Sequence, residues 1–313
     1  MRNILITGGA GFLGSHLSRN LPRTSYSVAI YDNFTVGRLS NLGGAVKHVE
    51  ILQGDVRDSS DLTVVLGKIR PHIVIHLAAI HYFPYCQAHP NEVHEVNIQG
   101  KENLLAKLMT LGSNPLFVLA SSAAVYKEHK GAIAEDDPVA PISVYGKSKL
   151  ASEMLVRQYH KVYKLDYVIL RLFNAYGARD STPHLIPSLI SQLKHTDRIR
   201  VGNISAKRDF IFVSDVVRAT NKLLGAGVRN RIYNVGSGKE YSVATVIEYL
   251  AKLTGRTLDV LQDPQLMRSV EIEHLRADIR RIRDELRWTP RISLKGGLRS
   301  LLKHEEINLD FAR

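Results

Sequence analysis

The stretch that most constrains the fold is a run of glycines that stops the short apolar segment Ile4-Leu5-Ile6. Thr7-Gly8-Gly9-Ala10-Gly11-Phe12-Leu13-Gly14 places glycine at 8, 11 and 14, and Leu13, Leu17 and Leu21 then recur every four residues up to Pro22. An apolar strand, a glycine turn and a helix with one apolar face follow each other directly. In that context each glycine has its own task. The first lets the chain leave the strand in a sharp turn, the second keeps a Cβ away from an approaching phosphate, and the third lets helix and strand pack closely. The open N–H groups of Phe12, Leu13 and Gly14 at the helix start then face the anionic oxygens.

Asp32 stands 18 residues beyond Gly14, at the end of a second apolar run over 28–31. A carboxylate there can bind both ribose hydroxyls and repels a 2′-phosphate, which predicts NAD in preference to NADP. Asp32-Asn33 also suits a turn. Further strands are expected at 49–52, 73–77, 116–119 and 167–172, with helical periodicity over 93–111 and 145–163. Strands alternating with helices predict an α/β fold, a Rossmann-type doubly wound parallel sheet with right-handed crossovers. After Gly177 the rhythm loosens. Segments 183–193, 215–225, 243–254 and 279–286 read as helices, 199–202 as extended, and 233–235 as a strand rejoining the main sheet. No repeat or low-complexity linker intervenes. The expected division is a dinucleotide-binding domain over 1–176, with a returning strand near 232–236, and a smaller interleaved substrate domain over 177–313.

With 313 residues, 44% hydrophobic and 23% charged, the composition is that of a globular enzyme-sized chain. No apolar run approaches the roughly 20 residues that span a bilayer, so no membrane partner is expected. The single cysteine, Cys86, excludes an intrachain disulfide, and the N-terminus shows no signal-like apolar region, which together predict the cytoplasm. The net charge of +12 is concentrated where Arg276, Arg280, Arg281, Arg283, Arg287, Arg291, Lys295 and Arg299 face Asp278, Asp284 and Glu285. Nucleic-acid binding is one reading of that excess. Only Trp288 is interleaved as an aromatic, so the reading adopted is a solvated basic face that attracts a small anion. The histidines show no ligand spacing, and no metal is expected.

The chemistry is carried by Tyr145-Gly146-Lys147-Ser148-Lys149, which opens a helix and puts Tyr145 and Lys149 on one face. An ammonium beside a phenol is expected to lower its pKa. Ser122 falls just past the fifth strand, at the sheet edge where α/β folds bind ligands, and its hydroxyl can hydrogen-bond a reacting oxygen.

With these motifs the chain resembles the extended short-chain dehydrogenase/reductase family, in its NAD-dependent epimerase/dehydratase branch acting on nucleotide sugars, over nearly its whole length. The resemblance extends to Gly54-Asp55-Val56-Arg57-Asp58, which implies that Asp55 and Val56 contact adenine. It also takes in His76-Leu77-Ala78-Ala79 and Asn97, which implies that Leu77, Ala78, Ala79 and Asn97 lie with Asn33 and Phe173 beside the cofactor. It implies a catalytic set of Ser122, Tyr145 and Lys149, with Lys149 also holding the nicotinamide ribose. Arg171-Leu172-Phe173-Asn174-Ala175-Tyr176-Gly177 resembles the segment whose asparagine touches the sugar nucleotide, which implies that role for Asn174. Arg208-Asp209-Phe210 resembles a segment whose arginine binds diphosphate. The C-terminal signature from Arg268 through Ala277-Asp278 to Trp288-Thr289-Pro290 implies a second arginine at the nucleotide. Forked guanidinium bonds suit a diphosphate. A UDP-sugar substrate and a homodimer through the helices near 93–111 and 146–163 are further implications.

Two departures discriminate within the family. Its 4,6-dehydratases carry an Asp-Glu pair directly after the catalytic Ser/Thr, where this chain has Ala123 and Ala124, and neither alanine can move a proton. That favours C4 epimerisation through a transient 4-keto sugar over elimination, the alternatives being an NAD(P)-dependent nucleotide-sugar dehydratase or reductase of the same family and a non-catalytic NAD-sensing protein. His81-Tyr82-Phe83-Pro84-Tyr85-Cys86 is bulkier than the family's loop after the fourth strand. Its rings mark a different sugar or a different outcome, such as reduction or epimerisation at another carbon, or else pack the loop against the second domain; His81 and Ala123 are expected at the substrate. Cys86 is an acid/base or, more ordinarily, a small buried hydrophobe.

Overall fold

The computed structural model describes residues 1–112, 114–267 and 272–310. β1 (Arg2–Thr7), α1 (Phe12–Asn20), β2 (Tyr26–Asp32), β3 (Glu50–Gln53), α2 (Ser59–Ile69), β4 (Ile73–His76), α3 (Gly100–Thr110), β5 (Leu116–Ser122), α4 (Val144–Tyr163), β6 (Tyr167–Leu172) and β7 (Arg231–Val235) build the main layer. The strands form one seven-stranded sheet in the order β7-β6-β5-β4-β1-β2-β3. Neighbours from β3 to β6 run parallel, with Leu5 between Ala29 and Val74 and with Phe117 between Val74 and Tyr167. The order reverses between β1 and β4, so the carboxyl ends of those strands, at Thr7 and His76, open a crevice suited to a ligand.

The strands read as unbroken apolar runs because helices cover them. Ile4, Leu5 and Ile6 are all fully buried. Leu5, Val74, Phe117 and Ile169 of the sheet pack with Leu62 and Leu66 of α2, Leu104 and Leu108 of α3, and Val156 of α4.

Two compact units divide the chain, one comprising 1–127, 138–172 and 217–233, the other 128–137, 173–216 and 234–313. The second has its own core, in which Ile186, Leu189, Val246, Leu250, Leu298 and Leu302 pack with Tyr176 and Phe210. It contains a three-stranded sheet of Asn174–Tyr176, Lys207–Phe212 and Glu240–Ser242. This division differs from the expected break at 176. Segment 128–137 goes with the second unit because Ala132–Ile133 pairs with Arg276–Ala277 and Glu135 accepts the Asn234 N–H. Residues 217–233 go with the first, where Asn221 donates to the Asn20 carbonyl.

Other expectations are corrected element by element. The single helix read over 93–111 is a short helix, Pro90–His94, then a π turn over Glu95–Gln99, then α3. The extended segment near 199–202 finds its partner in Asp259–Gln262, about sixty residues on, which no local pattern announces. The helix Leu294–His304 was not foreseen because Gly296-Gly297 interrupts its pattern. Gly297 is required by packing, since a Cβ there would meet the Tyr176 hydroxyl at 2.0 Å. Among the described residues no helix is long and apolar enough to cross a membrane.

Candidate active site

The glycine turn is built as three different constraints. Gly8 has φ +69°, and a Cβ on it would meet the Ala78 backbone nitrogen at 2.8 Å, so the turn also fixes its distance from Leu77 and Ala78. A Cβ at Gly14 would lie 2.2 Å from the Gly8 carbonyl oxygen. At Gly11 the constraint is milder, because the nearest contact would be that same oxygen at 3.3 Å, a tight approach rather than an overlap. Gly11 is the N-cap of α1 and supplies no side-chain cap, and the first turn has no acidic residue. That leaves Phe12, Leu13 and Gly14 heading an uncapped helix end, the place that receives a phosphate.

Asp32 ends β2 and is nearly buried. Its carboxylate accepts the Ala10 N–H at 2.9 Å, which ties it to the glycine turn, and the Phe34 N–H at 2.9 Å, which makes the turn that the sequence also suggested. A carboxylate has about four acceptor positions, so capacity remains for ribose hydroxyls. Asn33 donates to Asp55, and Arg57 grips the same carboxylate through its backbone and guanidinium. The Arg57 bonds hold the Asp55 carboxyl down at about 2. Val56 is buried, with Gly100 so close that a Cβ there would touch its methyl at 2.6 Å.

Asn97 is buried against the chain that follows β4. Only 1% exposed, it donates from Nδ2 to the Ile80 carbonyl and to Ser148 Oγ, and its Oδ1 accepts the Ile80 N–H. It therefore fixes the chain just after Leu77-Ala78-Ala79. His81 follows partly buried, and the bulky loop folds into a short helix, Phe83–Ala88. Tyr85 stays within the first unit, donating to Glu92 at 2.6 Å and stacking on His89. Gln87, which the sequence reading passed over, accepts the Val144 N–H and so holds the start of α4. Cys86 is fully buried and its thiol is pushed up to about 11 by burial, the behaviour of a small hydrophobe.

Ser122, Tyr145 and Lys149 are brought together. Ser122 ends β5 and its Oγ accepts the Ala124 N–H. It is near enough to the Tyr145 phenol to lower its proton affinity. Ser143 caps α4 by accepting the Gly146 N–H at 3.0 Å. Gly146 must lack a side chain, because a Cβ would lie 2.3 Å from the Ala124 carbonyl. Lys149 Nζ lies 5.7 Å from the Tyr145 ring centre and donates to the Ala120 carbonyl at 2.9 Å. The expected depression of the Tyr145 phenol is not found in the chain alone. Burial pushes it up to about 12, against the Ser122 hydrogen bond that lowers it. Lys149 is itself brought down to about 8 by burial and still carries its charge at neutral pH.

Ala123, 2% exposed, and Ala124 follow Ser122 in a 3-10 turn and offer no proton-transfer group. In the second unit Phe173 is buried and Asn174 is exposed at the start of its strand. Arg208 is nearly buried there and donates to the Lys207 and Ile272 carbonyls. Arg268 lies outside the described residues. Among the described residues no group of three or more His, Cys, Asp or Glu is placed to hold a metal ion.

Fold and site define a Rossmann-type α/β protein with a Ser–Tyr–Lys cluster at the carboxyl edge of its sheet. A profile described as GDP-mannose 4,6 dehydratase matches residues 5–301. The chain belongs to the extended short-chain dehydrogenase/reductase family, in its nucleotide-sugar epimerase/dehydratase branch. It is 33% identical over 310 residues to UDP-glucose 4-epimerase of Halalkalibacterium halodurans, covering 92% of this chain and 90% of that protein. With GDP-6-deoxy-D-mannose reductase of Pseudomonas aeruginosa it shares 31% over 318 residues, 97% of each chain. The crystal structure of Thermus thermophilus UDP-glucose 4-epimerase in complex with NAD superposes with a TM-score of 0.89 at 29% identity, covering 97% of this chain and 99% of that one.

Proposed function

We propose that this protein is an NAD-dependent nucleotide-sugar epimerase that inverts C4 of a UDP-hexose through a transient 4-keto sugar. The observation that carries the reading is the Ser122–Tyr145–Lys149 cluster followed by Ala123 and Ala124. The cluster suits removal and return of a hydroxyl proton, and the two alanines withhold the acid and base that elimination of water requires. The residues around the glycine turn fit a dinucleotide: Gly11 without a side chain, an uncapped α1 and the Asp32 carboxylate. NAD, when bound, accepts the C4 hydride and its reduced form returns it.

Tyr145 acts as base on the C4 hydroxyl and as acid on the returning oxygen. Ser122 donates a hydrogen bond to that oxygen and so stabilises its developing charge. Lys149 holds the nicotinamide ribose and favours the Tyr145 phenolate. Asp32 takes the adenosine ribose, and Asp55 and Val56 border the adenine. Asn174 touches the sugar nucleotide, Arg208 takes its diphosphate and Arg268 also reaches the nucleotide, with the first unit acting as the cofactor domain and the second as the substrate domain. The proton taken by Tyr145 returns to the sugar, so the cycle consumes neither coenzyme nor proton.

Nuclear magnetic resonance of the products from a panel of UDP-hexoses tests the reading. C4 inversion is expected, and a protein that binds NAD yet inverts none of the panel would sink it. The similarity to a deoxymannose reductase gives the runner-up, for which added NADH would be consumed stoichiometrically.

A further inference from the structure

Lys101 is a buried amine that the chemistry above does not use. It lies in the first turn of α3 and is only 1% exposed. Just before it, in the π turn, the Gly100 N–H reaches back five residues to the Glu95 carbonyl. The Asn97 carbonyl there accepts Lys101 Nζ at 2.9 Å and lies 3.1 Å from Ser152 Oγ. Lys101 Nζ also donates to Ser152 Oγ at 2.5 Å.

No carboxylate within ion-pair distance of Lys101 is found among the described residues. Glu153 faces it, but Arg171 holds Glu153 through two guanidinium nitrogens and Ser121 donates to it as well. The other charged or titratable neighbours are Lys149 on α4 and His76 on β4. Burial and the Lys149 charge both press Lys101 well below its ordinary pKa. The two oxygens that Lys101 Nζ reaches are those of Asn97 and Ser152.

From Lys101 a file of hydrogen bonds runs to the backbone that carries the reacting side chains. Ser152 Oγ donates to the Ser148 carbonyl at 2.7 Å, Asn97 Nδ2 donates to Ser148 Oγ, and Ser148 Oγ donates to the Tyr145 carbonyl at 2.8 Å. Residues 145, 148, 149 and 152 share one side of α4, so this file braces the face adjoining Tyr145 and Lys149. An apolar side chain of the same length would fill the space without the cost of burying an amine. What Lys101 adds is direction.

We infer that Lys101 is a positioning residue for Tyr145 and Lys149, acting through Ser152, Ser148 and the Asn97 carbonyl. The inference rests on the catalytic reading of that pair. Lys101→Met and Ser152→Ala test it by thermal melting, NADH titration and UDP-glucose turnover. For Lys101→Met the melting temperature should hold or rise, while NADH binds about tenfold more weakly and kcat falls about tenfold with KM changed less than about twofold. Ser152→Ala should move NADH binding and kcat in the same direction by less. NADH affinity and kcat within about twofold of the unsubstituted protein in both variants would overturn it. So would losses that merely follow the folded fraction. If the unsubstituted protein turns over no UDP-hexose, the catalytic reading fails, and the NADH titration still decides whether Lys101 orients Lys149.

Discussion

At the scale of single residues, the Tyr145 phenol carries the most consequential number. In the chain alone it stands at about 12, and Lys149, itself lowered to about 8, does not bring it down. A cationic nicotinamide beside the ring would favour the phenolate, so the active base should form only once the cofactor is bound. Ultraviolet difference titration should therefore show the phenolate emerging about a pH unit or more lower with NAD than without it. The same midpoint in both states would remove the cofactor from that role. Tyr145→Phe should lower turnover by about a hundredfold or more while NAD remains bound, which equilibrium dialysis can check. The sequence named Ser122, Tyr145 and Lys149 because their spacing is local to one helix and one strand end. It passed over Gln87, Lys101 and Ser152, whose partners lie 57, 4 and 51, and 4 to 55 residues away.

At the scale of elements, the glycine turn separates two effects that one motif hides. Gly14→Ala would drive a Cβ into the Gly8 carbonyl at 2.2 Å, so it should lower the melting temperature and NAD affinity together. Gly11→Ala meets that oxygen only at 3.3 Å, so it should melt within about 1 kcal/mol of the unsubstituted protein and lose affinity for NAD alone. Calorimetric melting beside NAD titration distinguishes the two, and equal stability losses would contradict the assignment. The strand–turn–helix at 2–20 was legible because strand burial and helix periodicity are both short-range patterns. The π turn at Glu95–Gln99 was not, since the Asn97 carbonyl within it meets Lys101 Nζ and Ser152 Oγ, the latter 55 residues on.

At the scale of the whole molecule, the buried Arg171–Glu153 pair ties β6 to α4, with both side chains almost inaccessible. Removing one partner strands the other, so Glu153→Ala should cost about 3–5 kcal/mol in denaturant unfolding. α4 also exposes Met154, Val162 and Tyr163, at 63%, 59% and 56%. Met154 and Val162, about 80° apart around the helix, bear on the homodimer that the family resemblance implies, for which light scattering should give twice the 35.0 kDa chain mass. Met154→Glu with Val162→Glu should shift it to one chain mass, and a monomer before substitution would retire the proposal.

What the sequence by itself determined was everything written in short-range order: the alternation of strands and helices, the glycine turn with Asp32, and the Tyr145–Lys149 face. Those follow from backbone geometry and side-chain periodicity within about one element. Tertiary structure alone decided where 128–137 and 217–233 belong, how 198–201 pairs with 259–262, and which groups brace Tyr145. It also decided how burial sets the proton affinities of that site. Such properties depend on residues far apart in the chain meeting in a medium of low polarity, and no local pattern records that meeting.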